Sequence, residues 1–449
     1  MVISVFAILW IILLIGAICK GERWIIYLII LSYVFQAASI IQWGDRILTP
    51  STFTCIVYIL YKIIRKKDNN SIRLPEELVV LGFFLIAVLI SSLMAPMLWD
   101  GIEYIPSNES LVLVKYEGKV SWFSISELFI QYICILLVYN SNMVTAKDLD
   151  RVLSVSIVIV VIVGIVQYAS LLQVLPQDNL IIKIVYSSNK DIAYNSLIAK
   201  GTKYYNILAL RMHSTFIEPS YFGGYVAVVL FIFLQKNNNV KNMLKCLIIC
   251  VMGILSFSAT AYIGMTLAFL IKLFSSKNKW DVSIKRLLGY IAILIFILLI
   301  ANKFQLISII NIRVLNKATT FSAYVREAWN KSAMDVFVDT WGLGLGHKFR
   351  GSSMVYTLLG AYGVIGIITY MLFFVLLIIG LWKNKGSEYR KIYYWGLILI
   401  MILQFISIGI LNYCMFWMML LMFCIIKGAN YENLSVNNCD TALLRQRRK

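Results

Sequence analysis

Charge is scarce in this sequence. Asp, Glu, Lys and Arg make up 14% of 449 residues, against 60% hydrophobic residues and a mean hydropathy of +0.82. A soluble domain carries about a quarter charged residues, so a water-soluble globular protein is excluded. Histidine is scarcer still, with only His213 and His347. The cysteines fall in or beside apolar runs or in the C-terminal tail, and the long polar loops have none. No two of them have paired metal-ligand spacing, and Cys246 and Cys250, four apart, suit helix packing. The first apolar run has no basic segment before it and no small-residue cleavage site after it, so it is expected to be a retained helix. Solenoid repeats and a soluble domain are also missing.

What fills the chain is apolar run after apolar run, many long enough to cross a hydrocarbon core about 30 Å thick. Spans are expected at 2–18, 24–41, 47–63, 78–97, 124–140, 152–173, 219–234, 243–257, 259–275, 287–304, 353–381, 392–410 and 412–427. The fold class is therefore an all-α polytopic integral membrane protein, one membrane domain over 1–449 with about 12–13 transmembrane helices. The net charge of +19 does not imply nucleic acid, because many basic residues gather in short loops between spans. Lys62–Arg73, Lys236–Lys245, Lys277–Arg286 and Lys383–Lys391 mark cytoplasmic loops, and Arg445–Lys449 marks a cytoplasmic tail over 428–449. That alternation puts the N-terminus and the loops 98–123, 174–218 and 305–352 outside. Loops as long as the last two usually carry function.

Two constellations fall in those loops. The first is Arg211-Met-His213-Ser214-Thr-Phe-Ile-Glu218-Pro219-Ser220, a dense polar stretch that leads straight into a span. Pro219 suits a first helical position, with Glu218 near the N-cap. The second begins with an amphipathic helix over 321–341, where Phe321, Tyr324/Val325, Ala328/Trp329, Ala333, Val336/Phe337 and Thr340/Trp341 recur at helical spacing. Gly342, Gly344 and Gly346 follow, alternate glycines that permit tight turns and close approach to a ligand. His347, Lys348 and Arg350 come next, so both histidines of the chain lie in candidate site loops. A third feature, Ser256-Phe-Ser258-Ala-Thr-Ala-Tyr262, carries small and hydroxyl residues that suit close helix packing.

Taken together, these motifs resemble the O-antigen polymerase and O-antigen ligase superfamily. The matching pieces are Arg211-x-x-Ser214-x-Phe216-x-Glu218-Pro219-Ser220, Ser256-x-Ser258-x-x-Ala261-Tyr262, Arg326-x-x-Trp329 before Gly342-x-Gly344-x-Gly346, and Leu359-Gly-Ala-Tyr-Gly-Val-Ile-Gly366. The Glu-Pro form is similar to polymerases. In ligases the residue after the loop histidine tends to be asparagine, and here it is Lys348.

The resemblance implies a membrane glycosyltransferase fold of the C type (GT-C) that works without metal or cofactor. It also implies a site in the bacterial cytoplasmic (inner) membrane, on its periplasmic or extracellular side. The implied substrate is an undecaprenyl-diphosphate-linked oligosaccharide, joined into O-antigen, capsule or exopolysaccharide. Arg211 and Arg326 are expected to hold the diphosphate, with Lys348 and Arg350 as further candidates, because guanidinium groups bind phosphate bidentately. His347 or Glu218 is expected to take the acceptor proton. His213, Ser214, Ser220, Gly342, Gly344 and Gly346 are expected to support them. Membrane lipid, a flippase and a chain-length regulator are the implied partners. En bloc ligation is the sister activity. A lipid-oligosaccharide flippase is the competing class, but transporters place charge at the midplane, whereas Glu127 and Lys272 lie near span ends.

Overall fold

The computed structural model describes residues 2–44, 46–65, 73–106, 111–141, 143–172, 174–176, 179–187, 211–236, 240–275, 321–383 and 388–428. Of these, 75% are helical. The helices are α1 (Val5–Lys20), α2 (Glu22–Ser32), α3 (Pro50–Arg65), α4 (Glu76–Leu98), α5 (Trp122–Tyr139), α6 (Ala146–Leu171) and α7 (Leu180–Val185). They continue as α8 (Pro219–Gln235), α9 (Val240–Leu255), α10 (Ala259–Ser275) and α11 (Phe321–Asp339). Met354–Lys383 forms α12 and Cys414–Gly428 forms α14. Between them lies α13 (Glu388–Ser407). Among the described residues five helices, α4, α5, α6, α12 and α13, are long and apolar enough to cross a membrane. The expected span 287–304 and the tail from 429 lie outside the described residues.

One expected span is shorter than its apolar run. The run 24–41 forms a helix only to Ser32, after which the chain turns and Ile41–Trp43 (β2) enters a small sheet. That strand pairs antiparallel with Val2–Ile3 (β1) and Arg46–Leu48 (β3). The turn is held from outside, since the Ala37 amide donates to the Thr215 carbonyl at 3.0 Å. The next helix starts at Pro50, where a proline costs no hydrogen bond, with Thr49 Oγ1 accepting from the Thr52 amide at 3.3 Å.

Two helices form the axis of the bundle. Nearly every residue of α8 is buried, and so is nearly every residue of α14. A helix apolar all round belongs in a core, and α8 packs against α9, α10 and α13. Small residues make the α8–α10 contact close: a Cβ on Gly223 would lie 2.7 Å from the Ala261 amide nitrogen. The outer helices do the opposite, with Ile8, Ile12, Phe83, Ile86, Ile165, Ile368 and Leu372 turned outward.

The polar groups separate to the two ends of the bundle. At one end are the pairs Arg23–Asp148, Lys236–Asp150 and Lys427–Glu77, with Lys62–Glu22 at 3.2 Å. At the other lie residues 211–218, the turn after α9, the first turn of α5 and the segment 342–353. Exposed tryptophans rim both ends, Trp43, Trp122 and Trp341 at the second and Trp24 and Trp382 at the first. Amphipathic rings take that position at membrane–water interfaces. The protein is a membrane-embedded helical bundle.

Candidate functional site

The candidate site is at the second end, where α8 begins. Pro219 is the first residue of α8 and Glu218 is its N-cap, but the Glu218 side chain caps nothing. Its carboxylate is exposed and, among the described residues, accepts from Ser220 Oγ at 3.0 Å. One turn on, Tyr221 packs its ring against Tyr413 at 5.5 Å between centroids. Tyr413 Oη donates to the Tyr221 carbonyl at 2.9 Å, which ties the start of α8 to the start of α14.

Two arginines converge on this corner. Arg326, on α11, lies within electrostatic reach of Glu218 and Tyr221. Burial holds its guanidinium below the usual arginine range, and the Glu218 carboxylate and Tyr221 oppose that shift. Arg350 is exposed, and its charge reaches Tyr221, Glu127, His347 and Tyr362. Arg326 and Arg350 thus both act on Tyr221. Arg211 occupies the same end, with its Nε donating to the Ser256 carbonyl at 3.4 Å.

The glycine segment is bound to protein rather than left open. Gly344 and Gly346 have φ of 79° and 71°, the left-handed region that side chains avoid. A Cβ on Gly344 would strike the Ala361 carbonyl, and one on Gly346 would lie 2.6 Å from Ser92 Cα. Gly342, at φ 76°, opens the segment, and its carbonyl accepts from the Val364 amide at 2.8 Å. Ser91 Oγ donates to the Leu343 and Ala361 carbonyls at 3.1 and 2.9 Å. Close approach is thus made to α4 and to a π-helical turn, Leu358–Tyr362, within α12. Such turns often occur at functional sites.

That turn delivers Tyr362 Oη to His347 Nδ1. Burial, and then the Arg350 charge, push the His347 imidazole down to about 3, so it is neutral across the physiological range. Lys348 turns elsewhere, 3.8 Å from Glu117 and 5.7 Å from the centre of the Tyr116 ring. It links the segment to the loop between α4 and α5, where Glu103–Tyr104 (β4) pairs with Val114–Lys115 (β5).

His213 and Ser214 are enclosed by the fold. Both are fully buried, and Gln167 Oε1 accepts from their two amides at 3.1 and 2.8 Å. His213 Nδ1 lies 2.6 Å from the Phe216 carbonyl, and Ser214 Oγ donates to the Val160 carbonyl at 2.6 Å. Ser214 takes φ 50°, so these bonds fold residues 211–218 into a compact turn that presents Glu218. The Ser256–Tyr262 joint packs as expected, with Ser256 and Ser258 buried and Tyr262 Oη on the Ile254 carbonyl at 3.0 Å.

Sequence reasoning missed Tyr221, Tyr362 and the full environment of Glu127. Glu127 accepts from Thr52 Oγ1 at 3.2 Å and from Asn412 Nδ2 at 2.9 Å. Its signal was available as the only acidic residue in the apolar run 124–140. Among the described residues no cluster of His, Cys, Asp and Glu could hold a metal ion. No protein-family model matches this sequence, and no curated protein matches it.

Proposed function

We propose that the protein is a membrane glycosyltransferase, a polymerase of lipid-linked repeat units. It joins undecaprenyl-diphosphate-linked oligosaccharides at the non-cytoplasmic face of a bacterial cytoplasmic membrane. The observation that carries this reading is that Arg326 and Arg350 both act on Tyr221, with Glu218 within electrostatic reach of Arg326. Two permanent cations around Tyr221, one of them within reach of the Glu218 carboxylate, suit a reaction in which a diphosphate leaves and a hydroxyl loses its proton. The orientation rests on charge, since the opposite end carries Lys236, Lys245 and Lys427 and borders the basic loops.

In the reaction, the oxygen of an acceptor sugar hydroxyl attacks the anomeric carbon of the lipid-linked chain. A new C–O bond forms as the bond to the diphosphate breaks, and the electron pair leaves with the diphosphate. Arg326 and Arg350 balance that charge, with Arg211 at the edge. Glu218 takes the hydroxyl proton. It is the better base of the two candidates, because its carboxylate is exposed and caps nothing, whereas a neutral His347 with a pKa of about 3 is a weak one. His347 and Tyr362 hold the glycine segment in place.

The test is polymer length in a strain deleted for this gene and complemented with variants. Arg326→Ala and Arg350→Ala should each lower polymer formation by about a hundredfold or more, the usual loss of a charge-stabilising group. Protein level should stay unchanged, and Arg326→Lys should rescue poorly. Full-length polymer from either alanine variant defeats the role given to that arginine. Transfer of finished chains to another acceptor, with no lengthening of the lipid-linked pool, would make the protein a ligase.

A further inference from the structure

The mechanism above gives Glu127 no task, yet it stands on the first turns of α5, a helix apolar enough to span a membrane. Ionisable groups there are costly and mark function. Its bonded partners are neutral, Thr52 Oγ1 on one oxygen and Asn412 Nδ2 on the other, and Arg350 acts on it through space. Asn412 presents its NH2 group to Glu127. Its carbonyl Oδ1 then faces away, buried, with no hydrogen-bond donor among the described residues. Each Glu127 oxygen keeps a further lone pair.

Apart from Arg350, which acts through space, the groups around Glu127 and Asn412 leave acceptors open and offer few donors. A phosphate brings only acceptors and would be repelled. The group that fits is one with several closely set O–H donors, such as the neighbouring hydroxyls of a sugar ring. Asn412 precedes Tyr413, whose bond to the Tyr221 carbonyl joins this corner to the arginine corner, and the Arg350 charge reaches both.

We propose that Glu127 and Asn412 form the acceptor-sugar subsite, reading hydroxyl groups of the incoming oligosaccharide while Arg326 and Arg350 hold the diphosphate. This rests on the glycosyltransferase reading and adds a second, separately testable binding element to it.

The experiment uses the full chain in lipid nanodiscs and two probes. One is undecaprenyl diphosphate. The other is the repeat-unit oligosaccharide released from the host's lipid-linked pool by mild acid. Glu127→Gln and Asn412→Ala should each weaken oligosaccharide binding about tenfold, as expected for a hydrogen bond to a charged or buried acceptor. Their binding of undecaprenyl diphosphate should be unchanged, and Arg326→Ala should show the reverse pattern. If the wild type binds no oligosaccharide, or both variants bind it as the wild type does, the subsite proposal falls. It also falls if binding is lost only together with a collapsed melting temperature, which would make both residues structural. The transferase reading fails separately, if the wild type does not bind undecaprenyl diphosphate or Arg326→Ala leaves that binding intact.

Discussion

Glu218 and His347 sit at the same end of the bundle but in opposite states. Glu218 is at a helix start, where a carboxylate commonly caps backbone amides, and yet it caps none. Glu218→Gln should therefore leave the melting temperature near wild type while removing the rate of chain extension. A large loss of stability would show a structural carboxylate instead. His347 makes a pH prediction with a fixed sign. In the fold its imidazole protonates only near pH 3, whereas in the unfolded chain it protonates near 6.5. Between those values the unfolded state binds the extra proton, so stability falls as pH drops from about 6.5 towards 3. His347→Gln should flatten that part of the melting-temperature profile. It should leave any activity pKa near neutrality where it was, which a histidine base would not allow. Arg350 was visible in the sequence only as a lesser cation after the glycines. Its reach to Glu127 and Tyr221 depends on how three separate helix starts come together, and spacing along the chain does not reveal that.

At the scale of elements, the glycine segment does its work against neighbouring backbone. Gly346 lies over Ser92 of α4, and Gly344 lies over Ala361 of the π-helical turn. Gly344→Ala and Gly346→Ala each add a Cβ at a left-handed φ and into occupied space. Each should cost about 1–3 kcal/mol, read as a lower melting temperature and less polymer. Retention of both would mean the segment can shift away from α4. Helix existence and type were legible in the apolar runs, and most boundaries fall close to them: 78–97 became Glu76–Leu98 and 219–234 became Pro219–Gln235. The run 24–41 misled because periodicity cannot see a partner 178 residues away, here the Thr215 carbonyl that holds the Ala37 amide. The amphipathic helix over 321–341 was legible too. Val325, Ala333 and Val336 face inward as its spacing predicts, whereas Tyr324 and Trp341 of the same stripe are exposed.

For the whole molecule, the separation of charge gives a topology that can be measured. Val112, exposed in the loop between α4 and α5, is at the site end, and Lys383, exposed at the close of α12, is at the other. With the exposed Cys19 and the tail residue Cys439 changed to serine, a membrane-impermeant maleimide should label Val112→Cys in intact cells and spare Lys383→Cys until the cells are opened. The reverse pattern would turn the candidate site towards the cytoplasm, away from any translocated lipid-linked sugar. The enclosure of α8 has a mechanical consequence. At 17 residues it is about 26 Å long, less than the thickness of a typical hydrocarbon core. Because protein surrounds it, thicker or thinner lipid has no surface on which to pull. Bilayer strain has to be absorbed by the outward-facing helices, so Glu218 and Tyr221 should keep their setting when the acyl chains of the host membrane lengthen with temperature or growth phase.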